Sequence, residues 1–257
     1  MKSHRPLQNL TIWVTGPVKP PLDRPDKMCR LLEDFGAVVI HRPVIETCEL
    51  DDDSNLKSTV RRLGSFGAIV FVSTSGVHFF NRYLDDDLRQ LLQECQVFAI
   101  GRGTSKYLED LGVGKILSPD SSDSRSLGKL LATTAEPPVL IVRASRGSRT
   151  LAEVLNLADL EYEEVVAYQN RDVEMVALDI IQHLESDIDW LVVTSSAAAQ
   201  AIVNLYGPYV GDTKVACISE ITATLAKKLG LNVCAVAESS SFDSIREAIV
   251  NAVGLST

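Results

Sequence analysis

Cysteine and histidine are scarce in this sequence, and neither is spaced as a disulfide frame or a metal site requires. The five cysteines are odd in number, lie far apart and include no C-x-x-C pair. The four histidines show no metal-ligand spacing either. Such a pattern is typical of unpaired thiols in a reducing compartment. We therefore predict a cytoplasmic protein and do not expect a metalloenzyme.

Long hydrophobic runs and an excess of basic residues are also missing. No stretch reaches the ~18 apolar residues that a membrane-spanning helix needs, and we expect no signal peptide in the opening MKSHRPLQNL, which has no apolar core after it. The formal net charge of −9 at pH 7 argues against a surface for nucleic acid or an anionic membrane. Any anionic ligand must therefore be bound by local groups.

Two apolar runs in the chain end abruptly on small hydroxyl side chains. The first is AIVFVSTSG at 68–76, and the second is DWLVVTSSA at 189–197. When Ser73 is placed over Ser195, a strand-like run precedes both serines and a helix-like segment follows both. Each turn therefore predicts a buried strand that leads directly into a helix.

The agreement between these two regions continues along the chain. VFAIGRGTSKYLEDLGVGKI matches VACISEITATLAKKLGLNVC at a constant offset of 118 residues, which pairs Thr104 with Thr222 and Gly112 with Gly230. Both regions alternate short β-branched runs with amphipathic helical patterns, as a parallel sheet covered by helices does. We predict an α/β protein with two similar parallel-sheet domains of the flavodoxin or Rossmann type, each built on one β-α-β-α-β-α unit.

The first copy of the unit goes on beyond the repeat, whereas the second stops short. PVLIVRA, a helix near 148–158 and EEVVAY complete the first copy. Equivalent elements for the second stand at the start of the chain, as LTIWVTG, a helix over DKMCRLLEDFG, and AVVIHRP. We therefore predict a discontinuous domain and an inserted domain joined by a two-stranded hinge. The predicted ranges are 1–42 with 172–257 for the discontinuous domain, 46–168 for the inserted domain, and 42–46 with 168–172 for the hinge.

The hydroxyl turns lie where a parallel sheet binds its ligands, beyond the carboxyl ends of its strands. Serine and threonine can simply cap a helix there, because they accept hydrogen bonds from the free N–H groups of its first turn. A helix start also presents such donors and a partial positive charge to an anion. We keep both interpretations and expect the two turns to face each other across a cleft. The candidate binding residues are Ser73, Thr74, Ser75, Ser195, Ser196 and Ala197.

A second pair of strand-to-helix junctions is GRGTS at 101–105 and SEITA at 219–223. The G-x-G of the first lacks the third glycine of a dinucleotide fingerprint, since position 106 is lysine. We therefore reject a dinucleotide site. Thr104 and Thr222 are simpler candidates, as helix caps that also contact an anionic ligand.

The most basic stretch of the chain is RASRGSR at 143–149, around the end of a predicted strand. A single loop of this kind is commonly just solvated. Here an acidic protein places three arginines at the predicted ligand edge, and arginine is a preferred partner of carboxylate and phosphate. Arg143 and Arg146 are therefore candidate binding residues.

Tyr168 lies in EVVAYQN, where the chain is predicted to cross back from the inserted domain. A tyrosine at such a place is commonly an interfacial aromatic with a bonded hydroxyl. If it faces a cleft, the same hydroxyl can donate a proton or a hydrogen bond to a reacting group. Tyr168 is the catalytic candidate, because the sequence offers no Ser-His-Asp arrangement, phosphate loop or carboxylate pair.

Seven segments together resemble the uroporphyrinogen-III synthase family of haem and tetrapyrrole biosynthesis. They are FVSTSGVHFF, AIGRGTSKYLEDLG, ILSPDSSDSRSLGKLL, VLIVRASRGSRTLAEVL, VVAYQN, DWLVVTSSAAA and CISEITATLAKKLGLNVCAVAE. The resemblance rests on their order and spacing, which cover nearly the whole chain.

The resemblance implies a two-domain monomer whose active site lies in the cleft between the domains. It implies hydroxymethylbilane, a linear tetrapyrrole polycarboxylate, as the substrate, and neither a metal nor an organic cofactor. The reaction would remove water, invert the last pyrrole ring through a spiro intermediate and close the macrocycle to uroporphyrinogen III. Tyr168 would assist departure of the hydroxyl, and the helix starts would bind the carboxylates.

Several positions depart from the family pattern. Thr15-Gly16-Pro17 stands where T-R-P is common, Ser219 replaces a common glycine, and Asp159 stands where a glycine is expected. Gly16 and Ser219 favour an alternative from another class, a non-catalytic two-domain module that binds a different small anion on the same fold. A sugar-phosphate or nucleotide enzyme would need a phosphate loop that this sequence lacks. The synthase is our functional prediction.

Overall fold

The computed structural model of the protein describes residues 5–18 and 27–254. This part of the chain folds into two compact units. The first unit comprises 5–18, 27–46 and 171–254, and the second comprises 47–170.

The chain passes from one unit to the other at 46–47 and at 170–171. The sequence predicts these passages near 42–46 and 168–172. Both observed passages fall inside strands, so extended backbone carries the chain across. Some residues of the predicted discontinuous domain lie outside the described part, namely 1–4, 19–26 and 255–257.

The described residues form short strands that alternate with helices. The strands are β1 (Thr11–Val14), β2 (Val38–His41), β3 (Ile45–Cys48), β4 (Ala68–Phe71), β5 (Gln96–Ala99), β6 (Ile116–Leu117), β7 (Val139–Ala144), β8 (Tyr162–Asp172), β9 (Trp190–Val193), β10 (Lys214–Cys217) and β11 (Val233–Val236). The α-helices are α1 (Lys27–Asp34), α2 (Ser54–Arg61), α3 (Thr74–Asn81), α4 (Asp86–Glu94), α5 (Arg102–Asp110), α6 (Ser124–Thr134), α7 (Thr150–Leu157), α8 (Leu178–Ser186), α9 (Ser196–Val210), α10 (Glu220–Lys228) and α11 (Phe242–Gly254). A short 3-10 helix covers Leu63–Ser65.

The first unit is built on a parallel sheet in the order β2-β1-β9-β10-β11. All four residues of its central strand β9, WLVV, are buried, because helices cover both faces of such a sheet. Successive side chains point to opposite faces. Leu191 joins a core cluster with α8, α9 and α10, and Val192 joins one with α1 and α11.

The second unit is built on a sheet in the order β3-β8-β7-β4-β5-β6, in which β8 to β6 are parallel. Its central strand β4, AIVF, is fully buried for the same reason. Ile69 and Phe71 pack with α2, α3 and α5, whereas Val70 packs with α6 and α7. Both faces of this sheet are therefore covered as well.

The offset of 118 residues found in the sequence holds for whole elements. β5 at 96–99 and α5 at 102–110 correspond to β10 at 214–217 and α10 at 220–228. β1 lies beside β9 as β7 lies beside β4, so the chain start occupies the place in the sheet that the repeat predicts. The predicted α/β class with two similar parallel sheets is confirmed.

Three further features concern the described residues only. No helix in the ranges 5–18 and 27–254 combines the length and the apolar character that crossing a membrane requires. Within the same ranges, no group of three or more His, Cys, Asp or Glu side chains is arranged to hold a metal ion. All five cysteines are described, and no disulfide joins them.

Gly112 and Gly230 follow α5 and α10 at equivalent positions, with φ of +88° and +84°. This left-handed backbone costs a residue with a Cβ roughly 1–2 kcal/mol. We expect Gly230→Ala to lower the free energy of unfolding by about 1 kcal/mol, and Gly112→Ala to cost the same. No atom outside the immediate chain neighbours lies within 4 Å of the methyl position at Gly230, so the cost there comes from the backbone alone.

Urea unfolding of the two variants checks this prediction, with Gly114→Ala as the control. Gly114 also has open space at the methyl position, but its φ is not in the left-handed region. Its replacement should leave the free energy of unfolding within about 0.5 kcal/mol of wild type. Equal stability of all three variants would contradict the prediction.

Candidate active site

Ser73 caps α3 directly after the buried strand β4. Its backbone is extended, with φ −166° and ψ 156°, and its Oγ accepts a hydrogen bond from Gly76 N at 2.9 Å. Serine is favoured here because its short hydroxyl reaches the free N–H groups of the first turn. Thr74 and Ser75 are the next two residues, and Ser75 is buried.

Tyr168 lies in the second half of β8, with only 7% of its surface exposed. Its ring stacks on Phe79 of α3, with centroids 5.4 Å apart and an interplanar angle of 16°. The hydroxyl lies 3.0 Å from Ser73 Oγ, within hydrogen-bond distance. Burial raises the pKa of the Tyr168 phenol above its ordinary value, and the hydrogen bond with Ser73 opposes that shift. The group is therefore a protonated phenol at neutral pH.

Arg143 on β7 is paired with Glu164 on the neighbouring strand β8. Its Nη1 donates to Glu164 Oε2 at 2.8 Å, and its Nε donates to Ala144 O at 3.3 Å. The two side chains are 17% and 31% exposed, respectively, so bulk water screens the pair only partly. The predicted anion contact at Arg143 thus already has a carboxylate partner in the protein.

These side chains meet in an open pocket of about 200 Å³ in the second unit. The pocket lies at the carboxyl ends of β4 and β7, where a parallel sheet is expected to bind a ligand, and is lined by part of the neighbouring strand β8. Four of the predicted site residues line it: Ser73, Arg143, Arg146 and Tyr168. Other lining residues with polar side chains, which sequence reasoning missed, are Ser124, Ser148, Glu164 and Asn170.

Thr74, Ser75 and Thr104 are not among the residues that line this pocket. Thr104 is buried in the first turn of α5, which begins at Arg102. A Cβ at the preceding Gly101 would come within 2.3 Å of Ser122 Oγ. Close packing against Ser122 therefore accounts for this first glycine of the G-x-G without a nucleotide.

The helix starts of the first unit are capped in the same way. Ser195 is extended, with φ −162° and ψ 158°, and its Oγ accepts from Ala198 N at 3.1 Å. Ser219 caps α10, accepting from Thr222 N at 3.3 Å and donating to Thr222 Oγ1 at 3.1 Å. The buried Thr222 hydroxyl accepts that bond, so its own proton remains to be donated. Ser196 and Ala197, the first residues of α9, are half-buried.

The strand register of the two sheets makes Gly16 in the first unit equivalent to Arg143 in the second. His41 is equivalent to Glu164 in the same way. His41 Nε2 lies 2.9 Å from Gly16 O. Because a carbonyl oxygen only accepts, His41 Nε2 is the donor in this bond. A single histidine–carbonyl hydrogen bond thus replaces the arginine–carboxylate pair at this edge of the first sheet.

The candidate residues therefore form two sets, each at the carboxyl ends of strands in its own unit. One set surrounds Tyr168 in the second unit, and the other comprises the capped helix starts of the first. The expectation that both sets bind one ligand stays a prediction. The pairing of Arg143 with Glu164 was missed because the sequence does not state the register of β7 against β8.

A family model described as uroporphyrinogen-III synthase HemD matches residues 26–247 of this chain. A porphyrin biosynthesis protein HemD of Ruminiclostridium josui is 24% identical over 97% of this chain, which spans 50% of the length of that protein. A uroporphyrinogen-III synthase of Chlorobaculum parvum is 26% identical, with 87% of this chain and 93% of the relative covered.

A solved structure is similar over nearly its full length. Uroporphyrinogen-III synthetase from Helicobacter pylori has a TM-score of 0.63, with 95% of this chain and 99% of that chain covered. The two sequences are 19% identical, so this likeness concerns the fold.

Proposed function

This chain belongs to the uroporphyrinogen-III synthase family, and we infer that it is the cyclising hydro-lyase that converts hydroxymethylbilane into uroporphyrinogen III. The family match covers 26–247, which includes the whole pocket around Tyr168. One observation supports the chemistry most directly: the buried Tyr168 lines a pocket at the carboxyl ends of strands, together with two arginine side chains. An acid beside cations suits a substrate that loses a hydroxyl and carries carboxylates.

Tyr168 is the proposed general acid of the first step. The C–O bond of the substrate's hydroxymethyl group breaks, and the departing oxygen takes the phenol proton and leaves as water. The electron pair of the adjacent pyrrole nitrogen stabilises the methylene carbon that remains. The substituted α-carbon of the last pyrrole bonds to that methylene carbon and forms the spiro intermediate. The bond from this α-carbon to the neighbouring methylene bridge then breaks, and the free α-carbon of the same ring bonds to the released bridge carbon, which inverts the ring and closes the macrocycle. The proton released on closure of the macrocycle restores the phenol.

Positioning accounts for the product isomer in this proposal. The linear substrate also closes unaided, without inversion, to the type I isomer. An enzyme that holds the two ends so that the inverted ring closes first gains rate by orientation. Orientation of this kind needs several fixed contacts to the substrate's carboxylates, not one strong one.

The proposed carboxylate contacts are local because the protein as a whole is acidic, with a net charge of −9. In the second unit they are the first turn of α3 at Ser73 and the side chains of Arg143 and Arg146. In the first unit they are the starts of α9 and α10, at Ser195 and Thr222. Helix starts bind anions through free N–H donors and a partial positive charge.

We further propose that the protein acts in the cytoplasm as a monomer. The five thiols, none of them in a disulfide, fit a reducing compartment. The monomeric state is the family expectation, and light scattering of the purified protein at micromolar concentration tests it. A mass of about twice 28.0 kDa would contradict the monomer.

An isomer assay tests the synthase assignment. The protein is supplied with hydroxymethylbilane, and the type III and type I products are oxidised and separated by chromatography. We expect type III to predominate with the protein and type I without it. Type I alone in both samples would overturn the assignment and leave the non-catalytic anion-binding module.

Thr104 and Thr222 should contribute to binding of the product. We expect Thr104→Ala and Thr222→Ala each to weaken its affinity by about 1 kcal/mol, the worth of a neutral hydrogen bond. Calorimetric titration with the product measures this. Thr59→Ala is the matched control, because Thr59 is also buried but lies in α2. If both test variants bind as the control does, neither threonine hydroxyl contacts the product.

A further inference from the structure

Ser73 Oγ is shared between two partners. It accepts a hydrogen bond from Gly76 N at 2.9 Å and lies 3.0 Å from Tyr168 Oη. A serine hydroxyl has one proton to donate and two acceptor sites. The helix cap uses one acceptor site, so the contact with Tyr168 uses either the Ser73 proton or the second site. In both cases the pair of hydroxyls keeps one O–H proton for a third group.

We propose that Ser73 is a positioning residue for Tyr168, and that the two hydroxyls act as one proton-donating unit that presents a single O–H to the pocket. This inference rests on the proposed function. It gives Ser73 a role distinct from direct contact with substrate carboxylates. Ser73 acts through Tyr168, whereas Tyr168 touches the leaving group.

The sheet determines where both oxygens lie. Tyr168 stands on β8 and Ser73 follows β4, with β7 hydrogen-bonded between the two strands. The Tyr168 ring is buried and stacked on Phe79 of α3, the helix that Ser73 caps. With the ring held, the torsion of the hydroxyl is the main freedom left to the phenol. The hydrogen bond to Ser73 restricts that torsion and directs the remaining proton.

The same contact assists the chemical step. When Tyr168 gives its proton to the departing oxygen, a phenolate forms in a buried site, and a buried anion needs a donor. Ser73 supplies that donor at 3.0 Å. Hydrogen bonds to a charged group are roughly twice as strong as those between neutral groups. The contribution of Ser73 should therefore be larger in the transition state than in the bound substrate, and should affect kcat more than KM.

The simpler role for Ser73 is that of a helix cap alone, as at Ser195. The repeat makes this comparison available, because Ser195 caps α9 with the same backbone conformation and the same kind of bond. No tyrosine hydroxyl bonds to Ser195 in the part of the chain that the structure describes. Ser195 is therefore the matched control for the cap.

Ser73→Gly separates the two roles. Glycine is tolerated at an N-cap with little loss of helix stability, and the extended backbone of Ser73 suits any residue. We expect Ser73→Gly to lower kcat for the type III product by about ten-fold with little change in KM, since it removes a donor to a charged oxygen. Ser73→Thr, which keeps both the hydroxyl and the cap, should restore kcat to within about three-fold of wild type.

A double-mutant cycle then tests the coupling. If Ser73 acts through the phenol, Ser73→Gly should cause no further loss of kcat in protein that already carries Tyr168→Phe. The loss of kcat caused by Ser195→Gly should instead be independent of Tyr168, so that the double variant shows the product of the two single losses. Independent effects of Ser73→Gly and Tyr168→Phe would overturn the proposal.

An alkaline absorbance titration gives a readout that does not need the reaction. The difference between each protein and its Tyr168→Phe partner isolates this phenol from the other tyrosines. Removal of a donor to the phenolate should raise the pKa of Tyr168 in Ser73→Gly and leave it unchanged in Ser195→Gly. An unshifted titration in Ser73→Gly would refute the positioning role. A protein that makes only type I product but shows the shift would refute the synthase function and leave the hydroxyl pair standing.

Discussion

Tyr168→Phe should slow formation of the type III product by about 10²-fold, while the fold is retained. The change removes one hydroxyl and keeps the ring that stacks on Phe79. General-acid assistance is typically worth ~10²–10⁴-fold, so the lower end suits a step that also proceeds unaided in water. The uncatalysed type I isomer should rise as the type III isomer falls. Initial rates with separation of the two isomers measure both.

Tyr83→Phe is the control for the loss of a tyrosine hydroxyl. Tyr83 lies in the same unit as Tyr168, and its hydroxyl donates to Asp53 Oδ2 at 2.9 Å outside the pocket. Each replacement should lower the free energy of unfolding by about 1 kcal/mol for one hydrogen bond. Only Tyr168→Phe should alter the ratio of isomers. If Tyr168→Phe lowers the rate through a much larger loss of stability, the tyrosine is structural.

Trp13→Ala should destabilise the first unit by about 3–5 kcal/mol, the usual cost of deleting a large aromatic side chain from a core. Trp13 is fully buried, its Nε1 donates to Arg42 O at 2.8 Å, and its ring meets Tyr206 edge to face at 5.1 Å. The residue stands on β1, in the segment that completes the sheet from the chain start. A decrease of this size in the free energy of unfolding would show that the segment from the chain start contributes to the stability of the unit's core.

The measurement can be restricted to one unit, because both tryptophans, Trp13 and Trp190, belong to the first. Urea unfolding followed by the fluorescence of Trp190 therefore reports that unit in the variant. Val38→Ala on the neighbouring strand β2 is the control, since Val38 is 60% exposed. It should change the free energy of unfolding by less than about 0.5 kcal/mol. A cost for Trp13→Ala as small as this would mean that β1 contributes little to the core.

The helix boundaries show how much local sequence can predict. Ser73 and Ser195 are predicted as helix caps, and both accept hydrogen bonds from the first turn. The caps predicted at Thr104 and Thr222 are wrong, because the capping positions are Gly101 and Ser219, three residues earlier. Capping is a contact between residues three apart, so its signal is contained in a short stretch of sequence. The backbone conformation at Asp159 is likewise a local property of the chain. It replaces an expected glycine, yet its φ of +52° is left-handed, a conformation that aspartate adopts more readily than most residues.

The ion pair of Arg143 with Glu164 could not be predicted from the sequence. Arg143 and Arg146 are predicted to contact an anionic ligand, and the structure adds a partner for Arg143 within the protein, Glu164 on the next strand. Nothing local in the sequence joins residues that are 21 apart. The pair exists because β7 and β8 lie side by side in one particular register, and a shift of one residue would turn Glu164 to the other face.

The sequence by itself therefore determined the fold class, the repeat and the helix starts of this protein. Periodicity, capping and an internal offset of 118 residues are properties of neighbouring or duplicated positions. They can therefore be recognised in the sequence before the fold is known. The tertiary structure alone decided which side chains meet. Ser73 and Tyr168 are 95 residues apart in the chain and 3.0 Å apart in space. That contact depends on the order β8-β7-β4 in the sheet, because strand order and register bring distant positions to one edge.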